Sequence, residues 1–248
     1  MLYYLIFTPL FVITFNKFND FIDLISSPSV NYLSEETVTL INTEKDILTR
    51  QYRIVNFSKS FLLGILSYPT LWLLIDVIFY PDQVNYNIVE LFAGLYTSID
   101  MAALIYNTNN HPSTNIHHIT VQFLYFYIVY YDFAMINLVR PIVVYACYSV
   151  FSYLVNGRLS IRNLELKHEG IVNDLSLVIY MVTSFFNWVT QFYLIFFDTP
   201  ELPFFYSKLL YLALVLVIVS DDIFLMKYLY NYKKRGCLVK SYEKVKSD

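Results

Sequence analysis

Glycine is scarce in this chain, five residues in 248, and none of them builds a glycine-rich phosphate loop or a nucleophile elbow. P-loop nucleotide chemistry and the serine-hydrolase turn are thereby excluded. The two cysteines, Cys147 inside an apolar run and Cys237 near the C-terminus, offer neither a disulfide framework nor a zinc spacing and read as free thiols. Only four histidines occur, His111, His117, His118 and His168, too few for the repeated clusters of membrane di-iron hydroxylases and desaturases. Charge is thin as well, 15% of residues, and no basic aromatic surface suits nucleic acid. What the chain has instead is apolar bulk: 57% hydrophobic residues, 19% aromatic and a mean hydropathy of +0.48. That composition is far outside the soluble range and predicts an integral membrane protein.

A helix needs roughly 20 apolar residues to cross a hydrocarbon core of about 30 Å. Seven stretches approach that length, at residues 2–15, 61–80, 88–106, 118–139, 142–154, 175–197 and 209–230, the first and fifth being short. The expected fold class is therefore all-α, a polytopic transmembrane bundle of about seven helices. Residues 1–16 lack a basic n-region and a small-residue cleavage site, so they read as a retained transmembrane or interfacial helix rather than a removable signal.

Lysine and arginine accumulate on the cytoplasmic side of membrane proteins. With seven spans and a lumenal start, fourteen basic residues fall on one side: Lys17, Lys45, Arg50, Arg53 and Lys59, then Arg158, Arg162 and Lys167, then six from Lys233 to Lys246. The other side receives Arg140 and Lys208, with Lys227 inside the last span. This asymmetry predicts an odd number of spans and a cytoplasmic C-terminus.

Polar residues inside the apolar spans fall on stripes at helical spacing. In the fourth span His118, Gln122, Tyr125 and Asp132 share nearly one line. The sixth span carries Ser176, Tyr180, Thr183, Ser184, Asn187 and Gln191, and the fifth carries Tyr145, Ser149, Ser152 and Asn156. The third adds Asp100 and the seventh Asp221 and Asp222. Unpaired polar groups are costly in hydrocarbon, so these faces should meet one another or water. Ser, Thr and Asn in such stripes equally suit interhelical hydrogen bonding. An ionised aspartate near the bilayer centre costs about 3 kcal/mol even on a lenient scale, so the carboxylates should be paired, protonated or wetted by a cavity. The predicted cavity residues are Gln122, Tyr125, Asp132, Tyr180, Asn187, Asp221 and Asp222.

His117 and His118 open the fourth span, where imidazole can act as general base, nucleophile or ligand and a carboxylate such as Asp100 can orient it. Neighbouring helical residues point about 100° apart, so the two rings should not both face one cavity squarely. His117, His118 and Asp100 are the candidate catalytic group. A single zinc held by His111, His117, His118 or a carboxylate is left open, but no histidine spacing matches a recognised zinc pattern, and no metal is expected.

An aspartate in one span, a short polar loop and a histidine pair opening the next resembles the TLC domain family, which includes the ceramide synthases. The matching residues are Tyr96-Thr-Ser-Ile-Asp100, Asn115-Ile-His117-His118 and Phe151-Ser-Tyr-Leu-Val-Asn156-Gly-Arg158, with Arg53 similar to the basic start of the first helix. The resemblance is closer to the non-synthase members, because Arg140 to Arg158 contains no acidic residue where synthases carry a His-Asp and a further Asp. It implies a six-helix core over residues 45–235, preceded by an N-terminal helix (1–16) and a polar cytoplasmic segment (17–44), and followed by a basic tail (236–248).

The resemblance further implies a role in sphingolipid or acyl-chain metabolism or membrane lipid homeostasis. It leaves open whether chemistry occurs; if it does, an acyl-CoA-dependent N- or O-acyltransferase of ceramide-synthase type is expected, with acyl-CoA as substrate and no resident cofactor firmly implied. Arg158, Arg162 and Lys167 would then meet the coenzyme phosphates. A non-catalytic lipid binder or sensor is the alternative, and a proton or ion transporter using Asp132 and Asp221 a further one. The C-terminal Lys244-Val-Lys246-Ser-Asp248 resembles a retrieval signal of the endoplasmic reticulum, read by coat proteins. Expected partners are membrane lipid and coat protein, not nucleic acid; a homo-oligomer is left open.

Overall fold

The computed structural model describes residues 1–25, 47–106, 112–134, 138–161, 169–198 and 205–247. Eight α-helices are described, and no strand occurs among these residues. They are α1 (Leu2–Ile25), α2 (Ile47–Phe79), α3 (Tyr86–Tyr106), α4 (Pro112–Tyr130), α5 (Val139–Val150), α6 (Tyr153–Ser160), α7 (Glu169–Tyr193, continued as a π-turn over Leu194–Asp198) and α8 (Phe205–Ser247). Four of them, over Arg50–Phe79, Tyr86–Tyr106, Gly170–Asp198 and Lys208–Tyr232, are long and apolar enough to cross a membrane; the pair α5 and α6, bent by 42°, is a broken span, which would make a fifth, or a re-entrant loop. The protein is a multi-pass membrane protein. With α5 and α6 as one column, the described helices form seven columns. α1 has a shorter apolar part, Leu2–Lys17. α4 has the length, 19 residues, but its polar side chains keep it out of the strongly apolar set.

Successive columns run in opposite directions, as their contacts show. The alternate columns α1 and α3 run the same way, Met1 lying beside Glu90 and Phe15 packing on Tyr106. Lys59 meets Asp100, and Asn173 reaches the Leu229 carbonyl. The bundle therefore has a histidine end, where α3 stops and α4 starts, and a far end, where α2 stops and α5 starts.

Large apolar side chains point both ways, as bilayer solvation requires. Val89, Phe92, Tyr96, Ile99 and Ala103 of α3 are buried at three- and four-residue spacing. Trp72, Phe79, Phe123, Phe186 and Tyr193 are exposed on the outside, where lipid rather than water is the solvent. Two glycines permit close helix approach. A Cβ at Gly94 would lie 2.9 Å from Cβ of Tyr3 on α1, and one at Gly157 would lie 2.9 Å from Oγ of Ser60 on α2. These small residues do what small residues do in membrane bundles, letting backbones come near where lipid offers no hydrophobic drive.

The far end is held by Arg140. Its guanidinium donates to the carbonyls of Val77 (2.9 Å) and Ile78 (2.7 Å), both left without intrahelical donors where α2 ends, and to Asp198 at the end of the π-turn. One side chain thus ties α2, α5 and α7.

Three expectations need correction. The fourth span ends at Tyr130, not at residue 139: Asp132 (φ 49°) and Phe133 (φ 59°) take left-handed backbone conformations that reverse the chain. The fifth span is not one rod but α5 and α6, bent by 42° at Phe151 and Ser152. Lys59, read as a loop charge, lies inside α2, where it is buried.

Gly94→Val forces atoms into α1 and should destabilise the detergent-solubilised protein by about 1–3 kcal/mol. Gly170→Ala, whose added Cβ meets nothing within 4 Å, should leave the thermal transition within a degree or two or raise it slightly. Thermal unfolding of both variants checks this, and equal effects would contradict it.

Candidate functional site

A cavity of about 340 Å³ opens between α2, α3, α4, the α5 and α6 column, α7 and α8 toward the histidine end. Each element sends its polar stripe into it: Asn56 and Lys59, Asp100, His117 and His118, Ser149 and Asn156, Tyr180, Thr183, Ser184 and Asn187, then Asp221 and Asp222. Apolar walls come from Val55, Leu63, Val155, Phe224 and Leu225.

The charged heart of the cavity is Asp100. It sits six residues before the end of α3, about 9 Å along the helix axis. Its Oδ1 accepts from Lys59 Nζ at 2.7 Å and lies 3.3 Å from Nδ1 of His118. All three side chains are nearly fully buried. His117 turns the other way, its Nδ1 lying 3.4 Å from Oδ2 of Asp221 on α8. The rings stand at 81° with centroids 5.5 Å apart. Both imidazoles therefore line one cavity despite their angular offset, because they straddle its corner: His118 addresses α3 and His117 addresses α8. Neither Nδ1 completes a well-aligned hydrogen bond.

The neighbouring Asp222 is treated differently. Its two oxygens accept from Tyr180 (2.6 Å) and Tyr145 (2.9 Å), so phenols on α7 and α5 hold the carboxylate from both sides. Adjacent aspartates thus divide the work, one facing an imidazole and the other tied into the wall. Below the cavity floor lies a second, 30 Å³ apolar space that shares Tyr96, His117 and Ser149 with it.

Of the predicted residues, Asp100, His117, His118, Tyr180, Asn187, Asp221 and Asp222 are brought together here. Three others are not. Gln122 donates to the Thr97 carbonyl at 3.3 Å, joining α4 to α3. Tyr125 stacks on Tyr4 of α1, with centroids 5.1 Å apart, and borders only the apolar space. Asp132 is exposed in the turn after α4. The α4 stripe leaves the cavity as it runs to the far end, so a shared helical line does not mean a shared site.

Arg158 also departs from expectation. It is 0% exposed, with Nε donating to Asn173 Oδ1 at 3.2 Å and its guanidinium carbon 4.1 Å above the Tyr232 ring. A guanidinium committed to α7 and α8 is not available to a coenzyme phosphate. His111, Arg162, Lys167 and His168 lie outside the described residues, as do the side chains of Lys244 and Lys246, whose backbone continues α8. Lys59 is the site residue missing from the predicted set: it was counted with the cytoplasmic charges, although it stands where TLC proteins often carry a histidine in the first helix of the domain.

Neither a protein-family model nor a curated protein nor a solved structure matches this chain.

A buried ion pair is costly to break one partner at a time, by about 3–5 kcal/mol, whereas replacing both partners with apolar groups is often nearly neutral. Asp100→Ala should therefore lower stability more than the double variant Lys59→Met/Asp100→Leu. Thermal unfolding in one detergent checks the order, and additive losses would show that the two side chains do not interact.

Proposed function

We propose that this protein is a TLC-type membrane protein of the endoplasmic reticulum that admits a membrane lipid to the polar cavity and transfers an acyl group to it. The observation that supports this most is the meeting of two imidazoles, each beside a carboxylate, on one cavity enclosed by apolar helices. Imidazole is suited to proton transfer near neutrality, and the adjacent carboxylate fixes its orientation.

In the proposed reaction an acceptor amine or hydroxyl attacks the carbonyl carbon of an acyl-CoA thioester. His118, with Nδ1 beside Asp100, takes the acceptor proton at Nε2. The carbon–sulfur bond breaks, the proton passes to the departing thiolate, and the products are one amide or ester and free coenzyme A. Lys59 holds Asp100 in place from α2, and the apolar walls receive the acyl chain. The positive-inside rule, applied to the basic residues of the loops and tail, supports a cytosolic histidine end, from which acyl-CoA would enter. Lys244 and Lys246 would then face the coat proteins that retrieve residents of the endoplasmic reticulum.

A lipid-binding role without turnover is favoured by one observation: Asp222 is already held by two phenols and Asp100 by Lys59, the pattern of a fixed headgroup cradle.

Microsomes carrying the protein, given labelled acyl-CoA and a panel of sphingoid-base and hydroxyl acceptors, should form acylated lipid. His118→Ala and Asp100→Asn should each reduce that product about 100-fold or more. Product unaffected by His118→Ala would contradict the catalytic role, and lipid copurifying with no product from any acceptor would favour the binding role.

A further inference from the structure

The same corner of the cavity carries a second kind of chemistry. Asp100, His117 and His118 each offer a ligand atom, and these atoms all lie within 4.8 Å of one another. Two imidazole nitrogens and one carboxylate oxygen are a donor set that suits zinc, whose bonds to them are about 2.0–2.2 Å long. Ligand atoms around such an ion stand roughly 3–4 Å apart, so a contraction within side-chain reach closes the set.

Two further observations point to a cation. His118 is 6% exposed, and its Nδ1 lies 3.3 Å from Asp100 without the alignment of a hydrogen bond, as His117 Nδ1 lies 3.4 Å from Asp221. A buried, deprotonated imidazole nitrogen beside a carboxylate is a lone pair that a cation between the two would satisfy. Formal charge gives the second. The cavity lining holds three carboxylates, Asp100, Asp221 and Asp222, against one ammonium, Lys59. With neutral imidazoles two negative charges remain within a low-dielectric bundle, the amount that one divalent ion removes.

We propose that Asp100, His117 and His118 bind one divalent zinc ion, with Asp221, 3.4 Å from His117 Nδ1, orienting that ring. Zinc at the His118 nitrogen beside Asp100 displaces the proton there and leaves the other ring nitrogen as the N–H bearer. Metal binding at this nitrogen and proton transfer by the other therefore belong to different forms of the protein, the zinc-loaded and the zinc-free, and the metal site is tested separately from acyl transfer. Lys59 is the competing cation. A carboxylate has about four lone-pair sites, so one oxygen can face the ammonium and the other the metal, at the expense of affinity. Removing that ammonium should strengthen the site.

The test is direct zinc binding to full-length protein, purified in detergent through a tag without histidine, stripped with chelator and dialysed against zinc chloride. About one equivalent is expected, lost in His118→Gln and in Asp100→Asn, and bound about tenfold more tightly or better in Lys59→Met. Zinc-edge X-ray absorption of the wild-type protein needs no variant to fold and should show nitrogen and oxygen ligands with two imidazoles. Less than one-fifth of an equivalent would overturn the proposal. So would a sulfur ligand, or zinc retained in His118→Gln but lost in Cys237→Ser. Acyl transfer measured on the same preparation tests the other reading: zinc binding without product, or product without zinc binding, separates the two.

Discussion

A charge placed inside a lipid bilayer must be compensated, and in this protein the compensation is made across the bundle rather than along a helix. Lys59 on α2 and Asp100 on α3 stand 41 residues apart in sequence and 2.7 Å apart in space. Either alone would be an uncompensated buried ion; together they set the distance and rotation of α2 and α3. His118 joins from α4, and Asp221 and Asp222 extend the polar surface onto α8. Because every member depends on a neighbour from another helix, the polar interior can persist only in the assembled bundle.

The two ends of the molecule use different physics. At the far end Arg140 satisfies the last carbonyls of α2 and Asp198 in a closed arrangement, with Tyr211 and Gln191 bonded nearby at 2.7 Å. Polar groups there bond one another and leave little space. At the histidine end they surround a cavity, with imidazole nitrogens incompletely bonded. A closed end fixes the helices, and an open end offers unsatisfied groups to a ligand. Lipid carboxyl, amine or hydroxyl groups and a divalent ion all meet that description, since each can supply what the imidazoles lack.

Much of the fold was legible from the sequence because hydrocarbon solvation imposes length and patterning so strongly. The apolar runs marked the spans, and the α7 stripe of Ser176, Tyr180, Thr183, Ser184, Asn187 and Gln191 was read as inward-facing from its spacing. Those residues do bond inward or line the cavity: Tyr180 reaches Asp222, Gln191 reaches the Pro141 carbonyl, and Ser176 reaches the Leu154 carbonyl. Depth was not legible. Gln122 and Tyr125 share a face with His118 but lie further along α4, where that face meets other helices, and Asp132 falls beyond the helix in the turn. Partnership across the bundle was not legible either. Lys59 read as a loop cation because its counter-ion is on another helix, and Arg158 read as an exposed cation because nothing local foretells its burial against Asn173 and Tyr232. The break at Phe151 and Ser152 has no proline or glycine to announce it.

The account rests on a water-accessible polar cavity inside the membrane, and paired thiol labelling on α7 measures that most directly. Thr183 lines the cavity, while its neighbour Val182 is exposed on the outer surface of the bundle. In a background with Cys147 and Cys237 replaced, Thr183→Cys in sealed microsomes should react with a small charged thiosulfonate reagent, and Val182→Cys should resist it because lipid holds no thiolate. Labelling of Val182→Cys with protection of Thr183→Cys would contradict the account.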